Sequence, residues 1–388
     1  MRLAVLGAGR MGRAAAWDMA RQEGVELVRL VDRDLAQLEQ GALELHELAK
    51  HPELPSYHTR VETRQVDLDD TTTYGALFEG IDAVLSSADY RFNRGLTKAA
   101  IEAGVHLCDL GGNLFVVRDQ LACSAEAEAR GVTVVPDCGL APGMACMLAA
   151  HGVEQLERVD EVRIRVGGLP KNPKPPLHYK LVFSVRGLTN EYLEPAEVVR
   201  DGVTQMVPSL TEIESLEFPP PFGLLEAFHT SGGISTLPQT LVARVPNMDY
   251  KTIRYPGHGA VFHAMDSLGF FSEELVNGVN PRSFTEAMLE RALDDSDTDV
   301  VLVRVTLKGM REGAPATLTF EVIDEHDPRT GHSAMARTTA YPAAAVAYMM
   351  ASGAIAKRGV LPGEVALPLG AYVDAIRARG IAIDERWS

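Results

Sequence analysis

The chain is short of positive charge. Its 388 residues carry 37 Lys and Arg against 53 Asp and Glu, a formal net charge of −16. Nucleic acids and anionic membranes are held through clustered basic side chains, so this balance argues against both and leaves a small molecule as the expected partner. Cysteine is scarce as well. Cys108, Cys123, Cys138 and Cys146 show neither CxxC spacing nor the density of a secreted disulfide scaffold, and they read as reduced, buried thiols of a cytoplasmic protein. Of these, Cys138 is the one that could sit near chemistry. No membrane-length apolar run is present: residues 340–356 are the most apolar late stretch, but they include Pro342 and fall short of the roughly 20 residues a span requires. That stretch reads as a buried helix. A leader pattern is also missing, because Met1 runs straight into a strand-length apolar segment, and there is neither an internal repeat nor a low-complexity tract. A chain this long exceeds one comfortable core, so two domains are expected.

What is present begins at the first residues. The apolar run 2–6 leads into Gly7, Gly9 and Gly12 in GxGxxG spacing, followed by an Ala-rich, helix-favouring stretch. Strand, tight turn and helix in that order form a dinucleotide cradle. One glycine makes the turn, one lets backbone approach a pyrophosphate, and one permits close helix packing, while Arg10 and Met11 open the helix whose N–H groups face the phosphates. Asp32 ends a second apolar run, 25–31, and lies 20 residues beyond Gly12. A carboxylate there accepts the ribose hydroxyls and repels a 2′-phosphate, which favours NAD over NADP; Arg33 beside it keeps NADP open.

Helix and strand patterns then alternate: helix 35–50, strand 60–66, helix 74–79, strand 83–85, helix 92–103, strand 105–110, helix 119–130, strand 132–136 and helix 144–155. Alternation of this kind implies a Rossmann-type doubly wound parallel sheet over residues 1–143, with its ligand at the strand C-termini. Asp32, Asp67, Ser86, Asp109 and Asp137 all stand at such ends, so Asp67, Leu68, Ser86, Ser87 and Asp109 join the cofactor candidates. From about residue 159 the pattern changes to longer strands, 162–168, 179–185, 300–308 and 316–323, without a helix between each pair. That is a second α+β domain with a mixed or antiparallel sheet, assigned to 144–337. Residues 338–388 hold a long helix and a shorter one at 373–379, part of which is expected to return to the first domain.

The segments GAGRMG (7–12), VHLCDLGGN (105–113), VVPDCGLAPGM (134–144), VGGLP (166–170), EAFHTSGGISTL (226–237), YKTIRYPGH (250–258) and ARTTAY (336–341) resemble those of the saccharopine dehydrogenase-like oxidoreductases, and within them the L-lysine 6-dehydrogenases. The resemblance implies NAD-dependent oxidation of the lysine side-chain amine. Ammonia is released, and the 6-semialdehyde cyclises to a piperideine carboxylate. It also implies a homodimer or larger assembly.

Such chemistry requires a neutral amine, a hydride acceptor and a water that attacks the imine, so the ε-ammonium, with an ordinary pKa of about 10.4, must lose a proton. His258, read in a loop bracketed by Pro and Gly, is the first candidate for that proton path. Asp109 and Asp137 are alternatives that also suit plain helix capping. Lys180, next to Tyr179 in the strand pattern, could serve as a base if buried, and Tyr179 could orient substrate. For the α-carboxylate the candidates are Arg254 or Arg337, assisted by Thr230, Ser231 and the N–H groups of Gly232 and Gly233; Glu191 is a candidate partner for the amine. No metal site is expected. Two rival functions stay open: reductive C–N bond formation of the saccharopine or carboxynorspermidine dehydrogenase type, and a nicotinamide-binding regulatory protein without turnover.

Overall fold

A computed structural model describes residues 1–293 and 297–388. The chain divides into two compact units. Unit 1 comprises Met1–His151, Asp327–His332 and Ala336–Ala382; unit 2 comprises Gly152–His326, Ser333–Met335 and Ile383–Ser388.

In unit 1 the strands are β1 (Arg2–Leu6), β2 (Leu27–Asp32), β3 (Arg60–Gln65), β4 (Ala83–Ser86), β5 (His106–Asp109) and β6 (Thr133–Val135). With the short strand Gly359–Val360 they make a sheet in the order Gly359–Val360, β6, β5, β4, β1, β2, β3. Every pairing in it is parallel. This is the Rossmann-type doubly wound sheet. The chain runs outward from β1 through β2 to β3, then crosses back to β4 on the other side of β1. That reversal leaves a crevice at the carboxyl ends of β1 and β4, where such sheets bind ligands. The central strands are buried and apolar, with Ala4, Leu6, Val84 and Leu107 packing against Leu77, Phe78, Leu96 and Ile101 in one cluster, whereas the edge strand β3 is largely polar. One helix expected over 119–130 is instead two, Leu114–Leu121 and Ser124–Ala129. The Asn113 side chain accepts from the N–H groups of Phe115 and Val116, which starts the first helix earlier than its apolar pattern suggests.

Unit 2 is built on β7 (Arg158–Pro170), β8 (Ala196–Arg200), β9 (Val203–Val207), β10 (Glu214–Phe218), β11 (Gly223–Phe228), β12 (Met248–Arg254), β13 (Asp299–Arg311) and β14 (Ala314–Glu325). Their order is β10, β11, β12, β7, β13, β14 and then Asp384–Trp387, with the β8–β9 hairpin attached to β12. The sheet is mixed, since β12 and β7 run parallel while β7–β13, β13–β14 and β11–β12 are antiparallel. Residues 179–185 are not a strand. Their alternating apolar side chains serve packing rather than a ladder: Leu177 and Tyr179, with Leu181 and Phe183, pack into a cluster with Phe228, Phe262 and Tyr192. Ser184 then caps the helix Val185–Leu193 by accepting from Gly187 N–H at 3.1 Å.

Candidate functional site

The glycine turn of unit 1 is tightly constrained. Gly7 has φ +96, a conformation that L side chains rarely adopt, and its N–H donates to the Val31 carbonyl at 2.7 Å. A Cβ on Gly12 would lie 1.7 Å from the Gly7 carbonyl oxygen, so only glycine lets the first helix approach the turn, whereas a Cβ on Gly9 would meet nothing within 4 Å. That helix, Arg10–Ala20, has no side-chain cap, and its first N–H groups are left to whatever approaches Gly9. Ser87 Oγ lies 2.9 Å from the Leu6 carbonyl and 3.0 Å from that of Gly7, tying the end of β4 to the turn, while Ser86 Oγ donates to Asn93 Oδ1 at 2.9 Å. Open backbone, an uncapped helix start and small side chains fit a dinucleotide's phosphates.

Asp32 does more than end β2. Its carboxylate accepts the Ala8 N–H at 2.7 Å and the Asp34 N–H at 2.9 Å, bracing the same turn. Arg33 and Asp67 are exposed, and Leu68 is buried with its carbonyl accepting from the Tyr74 hydroxyl at 2.8 Å. Asp109 is wholly buried. It accepts from Gly111 N–H at 2.8 Å, Asp137 N–H at 3.2 Å and Gln120 Nε2 at 2.8 Å. Burial raises its pKa against the lowering effect of those hydrogen bonds. Asp109 therefore fastens the loops after β5 and β6. Arg337 also belongs to unit 1, donating to Asp327 Oδ2 at 3.3 Å and the Gly380 carbonyl at 3.0 Å. Cys108, Cys138 and Cys146 are buried thiols as expected, but Cys123 is partly exposed.

Unit 2 gathers a different set. Arg254, the last residue of β12, is 3 % exposed. Its Nε donates to the Tyr192 hydroxyl at 2.8 Å and its Nη1 to the Ile253 carbonyl at 2.8 Å. Its guanidinium carbon sits 4.7 Å from the centre of the Tyr179 ring. Burial works to discharge it, but Tyr192, Tyr179 and Glu191 around it outweigh that and hold it charged. Tyr192 lies 2.9 Å from His258 Nε2, and His258 Nδ1 lies 3.0 Å from the Leu177 carbonyl. A carbonyl only accepts, so Nδ1 carries the proton and Nε2 accepts from Tyr192. The hydrogen bonds thus run in one direction, from Arg254 through Tyr192 and His258 to Leu177. Burial, with Arg254 and His178 adding to it against the opposing Leu177 hydrogen bond, lowers the His258 pKa to about 3.

His258 is not in a loop. It is the first residue of the helix His258–Ser267, and Glu226 on β11 fixes that start by accepting from Gly257 N–H at 2.8 Å and Gly259 N–H at 2.7 Å. Lys180 stands apart from the cluster, with its ammonium bonded to the Asp297 carbonyl. Thr230 and Thr252 share a hydrogen bond of 2.7 Å, and Ser231 N–H donates to the Glu191 carbonyl at 2.9 Å. Two groups remain uncommitted. The Tyr179 hydroxyl is buried without a hydrogen-bond partner among the described residues, and burial pushes its pKa to about 12. Glu191, partly buried in the helix Val185–Leu193, makes no side-chain hydrogen bond among the described residues; burial raises its pKa to about 7, with Arg254 lowering it and Glu194 raising it. The residue missed from sequence is Tyr192, the hub of the chain. Its signal was the spacing of Leu188 and Tyr192 on one helical face behind a Ser184 cap.

Residues 3–135 match the Saccharopine dehydrogenase NADP binding domain and residues 139–381 the Saccharopine dehydrogenase C-terminal domain. Over 218 residues, 54% of this chain, the sequence is 23% identical to the mitochondrial alpha-aminoadipic semialdehyde synthase of Mus musculus. It is 22% identical to that of Rattus norvegicus over the same length. The match spans only 23% of either relative. The fold is similar to that of apo saccharopine dehydrogenase (L-Glu forming) from Saccharomyces cerevisiae, with a TM-score of 0.79, 18% identity, and coverage of 100% of this chain and 99% of that one.

Proposed function

This chain belongs to the saccharopine dehydrogenase family of oxidoreductases, and from that premise we propose that it oxidises the side-chain amine of lysine with NAD, releasing ammonia and the 6-semialdehyde. The observation that carries this reading is the count of buried cations in unit 2 that have no carboxylate partner among the described residues. Arg165, Lys251, Arg254 and Arg282 are its buried cations among the described residues. Arg165 is paired with Glu214 and Asp249, Lys251 with Glu214, and Arg282 with Glu286 and Glu273. Among the described residues, Arg254 alone has no carboxylate hydrogen-bonded to it. One clamp suits a substrate with one carboxylate, whereas a saccharopine-type product carries three and calls for a second. Beside that clamp, Glu191 and the unpaired Tyr179 hydroxyl supply what the rest of a single amino acid needs.

A nicotinamide bound at the glycine turn would supply the hydride acceptor, with Gly9, the start of the first helix and Ser87 around its phosphates and Asp32 at its ribose. The matched domain is described as NADP-binding; the Asp32 carboxylate supports NAD, because it would face a 2′-phosphate with like charge. Arg254 holds the substrate carboxylate and the neutral His258 keeps Tyr192 in place beneath it.

The test is NADH formation with a panel of lysine, ornithine and diamines, with ammonia measured in parallel. Equal yields of NADH and ammonia from lysine support the reading. No NADH from lysine, together with NADH consumption by a keto acid plus an amine, replaces it with reductive C–N bond formation.

A further inference from the structure

Resting on the deamination reading, we propose that Glu191 is the group that takes the proton from the substrate ammonium, and that His258 does not. The argument is one of what each side chain is free to do. His258 has both ring nitrogens committed, Nδ1 to the Leu177 carbonyl and Nε2 to Tyr192. To accept a proton at Nε2 it would have to break with Tyr192 and become a cation in a buried pocket with Arg254 acting against it. Asp109 is tied by Gly111, Asp137 and Gln120, and Lys180 donates to a carbonyl.

Glu191 has no such engagement. Its helix is anchored on the opposite side: Thr189 Oγ1 donates to Glu286 at 2.5 Å, Arg186 reaches Glu286 at 3.2 Å, and Arg282 bonds to Asn190. Ser231 N–H holds the Glu191 main chain by its carbonyl at 2.9 Å. The backbone is therefore fixed from two directions while the carboxylate has no hydrogen bond among the described residues. The groups that bear on it are Arg254 from β12, Tyr192 and Glu194 from its own chain segment, and Tyr179 with its unpartnered hydroxyl. A buried hydroxyl without a partner beside a carboxylate without one marks a place built for a polar ligand.

The step balances simply. The ammonium R–CH2–NH3⁺ gives one proton to the Glu191 carboxylate, leaving R–CH2–NH2 and a neutral carboxylic acid. The nitrogen lone pair then assists departure of the hydride from the adjacent carbon to NAD, giving R–CH=NH2⁺ and NADH. A carboxyl that ionises near pH 7 is matched to this task, because it is ionised at working pH and still basic enough to take the proton.

The experiment is the pH profile of kcat with lysine and NAD for the wild-type protein, Glu191→Gln and Glu191→Asp, with NAD affinity and thermal unfolding measured on each. The expected result is a wild-type rate that rises with pH through about 7, a Glu191→Gln rate lower by about 100-fold or more with that rise gone, and a Glu191→Asp rate that is reduced but keeps the rise. NAD affinity should be unchanged. A folded Glu191→Gln should also be more stable than wild type at pH 8, with the difference vanishing only as pH falls below the ordinary carboxyl value of 4.5. A folded-state pKa raised to about 7 means that the carboxyl's contribution is lost as pH rises through that value. If the wild type turns lysine over and Glu191→Gln keeps the same pH-dependent rise, the role of Glu191 is overturned alone. If the wild type releases no ammonia from lysine, the deamination reading falls and this role with it.

Discussion

Arg254 Nε and the Tyr192 hydroxyl are 2.8 Å apart, and both side chains are buried. Tyr192 is simultaneously the donor to His258 Nε2 at 2.9 Å. Replacing Tyr192 with Phe strands a buried guanidinium N–H and a buried imidazole nitrogen, which should cost about 1–3 kcal/mol of stability in denaturant unfolding. Tyr179→Phe removes a hydroxyl with no partner among the described residues and should cost under about 0.5 kcal/mol. For lysine turnover the expected effects separate differently: Tyr179→Phe raises KM with the fold intact, and Tyr192→Phe lowers stability and rate together. Equal destabilisation by the two variants would contradict the bonding pattern.

A second comparison separates fold from cofactor at the glycine turn. Gly9→Ala places a methyl in open space at an ordinary negative φ of −68, so its melting temperature should stay at the wild-type value while nicotinamide affinity drops about tenfold or more, worth about 1.4 kcal/mol. Gly12→Ala drives a methyl to 1.7 Å from the Gly7 oxygen and should destabilise unit 1 by about 1–3 kcal/mol as well as abolishing binding. A fluorescence titration with NADH alongside calorimetry reads both. Tight NADH binding by Gly9→Ala would remove the pyrophosphate from that place.

Asp32 offers a discriminating substitution because its two jobs have different readouts. Asp32→Ser loses the acceptor for Ala8 and Asp34, at a cost of about 1–2 kcal/mol. It also loses the charge that would face a 2′-phosphate, so the ratio of kcat/KM with NAD to that with NADP should fall about tenfold or more. A wild-type protein that prefers NADP, or an unmoved ratio in the variant, would reject the NAD assignment.

Much of unit 1 was legible because its signals are local. The glycine spacing, Asp32 and the helix–strand alternation all act within a few residues, and the central parallel strands are apolar runs that need no partner to be recognised. Unit 2 was legible only in its long strands. β8 to β11 are only five or six residues long, and β9 is largely exposed, so their apolar alternation is weak. Residues 179–185 carry a strand's alternation yet satisfy it against Phe228 and Phe262; spacing alone cannot say whether an alternating segment will find a neighbouring strand or a side-chain cluster. The same holds for the site. Arg254, His258, Lys180 and Glu191 were candidates by residue type, but what ties each of them is a long-range contact: Tyr192 for Arg254, Leu177 for His258, Asp297 for Lys180, Ser231 for the Glu191 main chain.

The condition of His258 makes a prediction whose sign follows from its surroundings. Its folded-state pKa of about 3 lies below the ordinary histidine value near 6.5. Between those two values the unfolded chain binds a proton that the native protein refuses, so the contribution of His258 is complete above pH 6.5 and is lost as pH falls toward 3. His258→Gln cannot titrate there. It also loses the hydrogen bonds to Tyr192 and Leu177, so it should be less stable than wild type by about 1–3 kcal/mol at pH 8. On acidification below about pH 6.5 the gap should close, at no more than about 1.4 kcal/mol per pH unit, and the two unfolding curves should approach each other by pH 4.5. A gap of constant size across that range would mean that the imidazole takes up a proton in the folded protein after all. Tyr192 would then have to release it, and the proton path would return to His258.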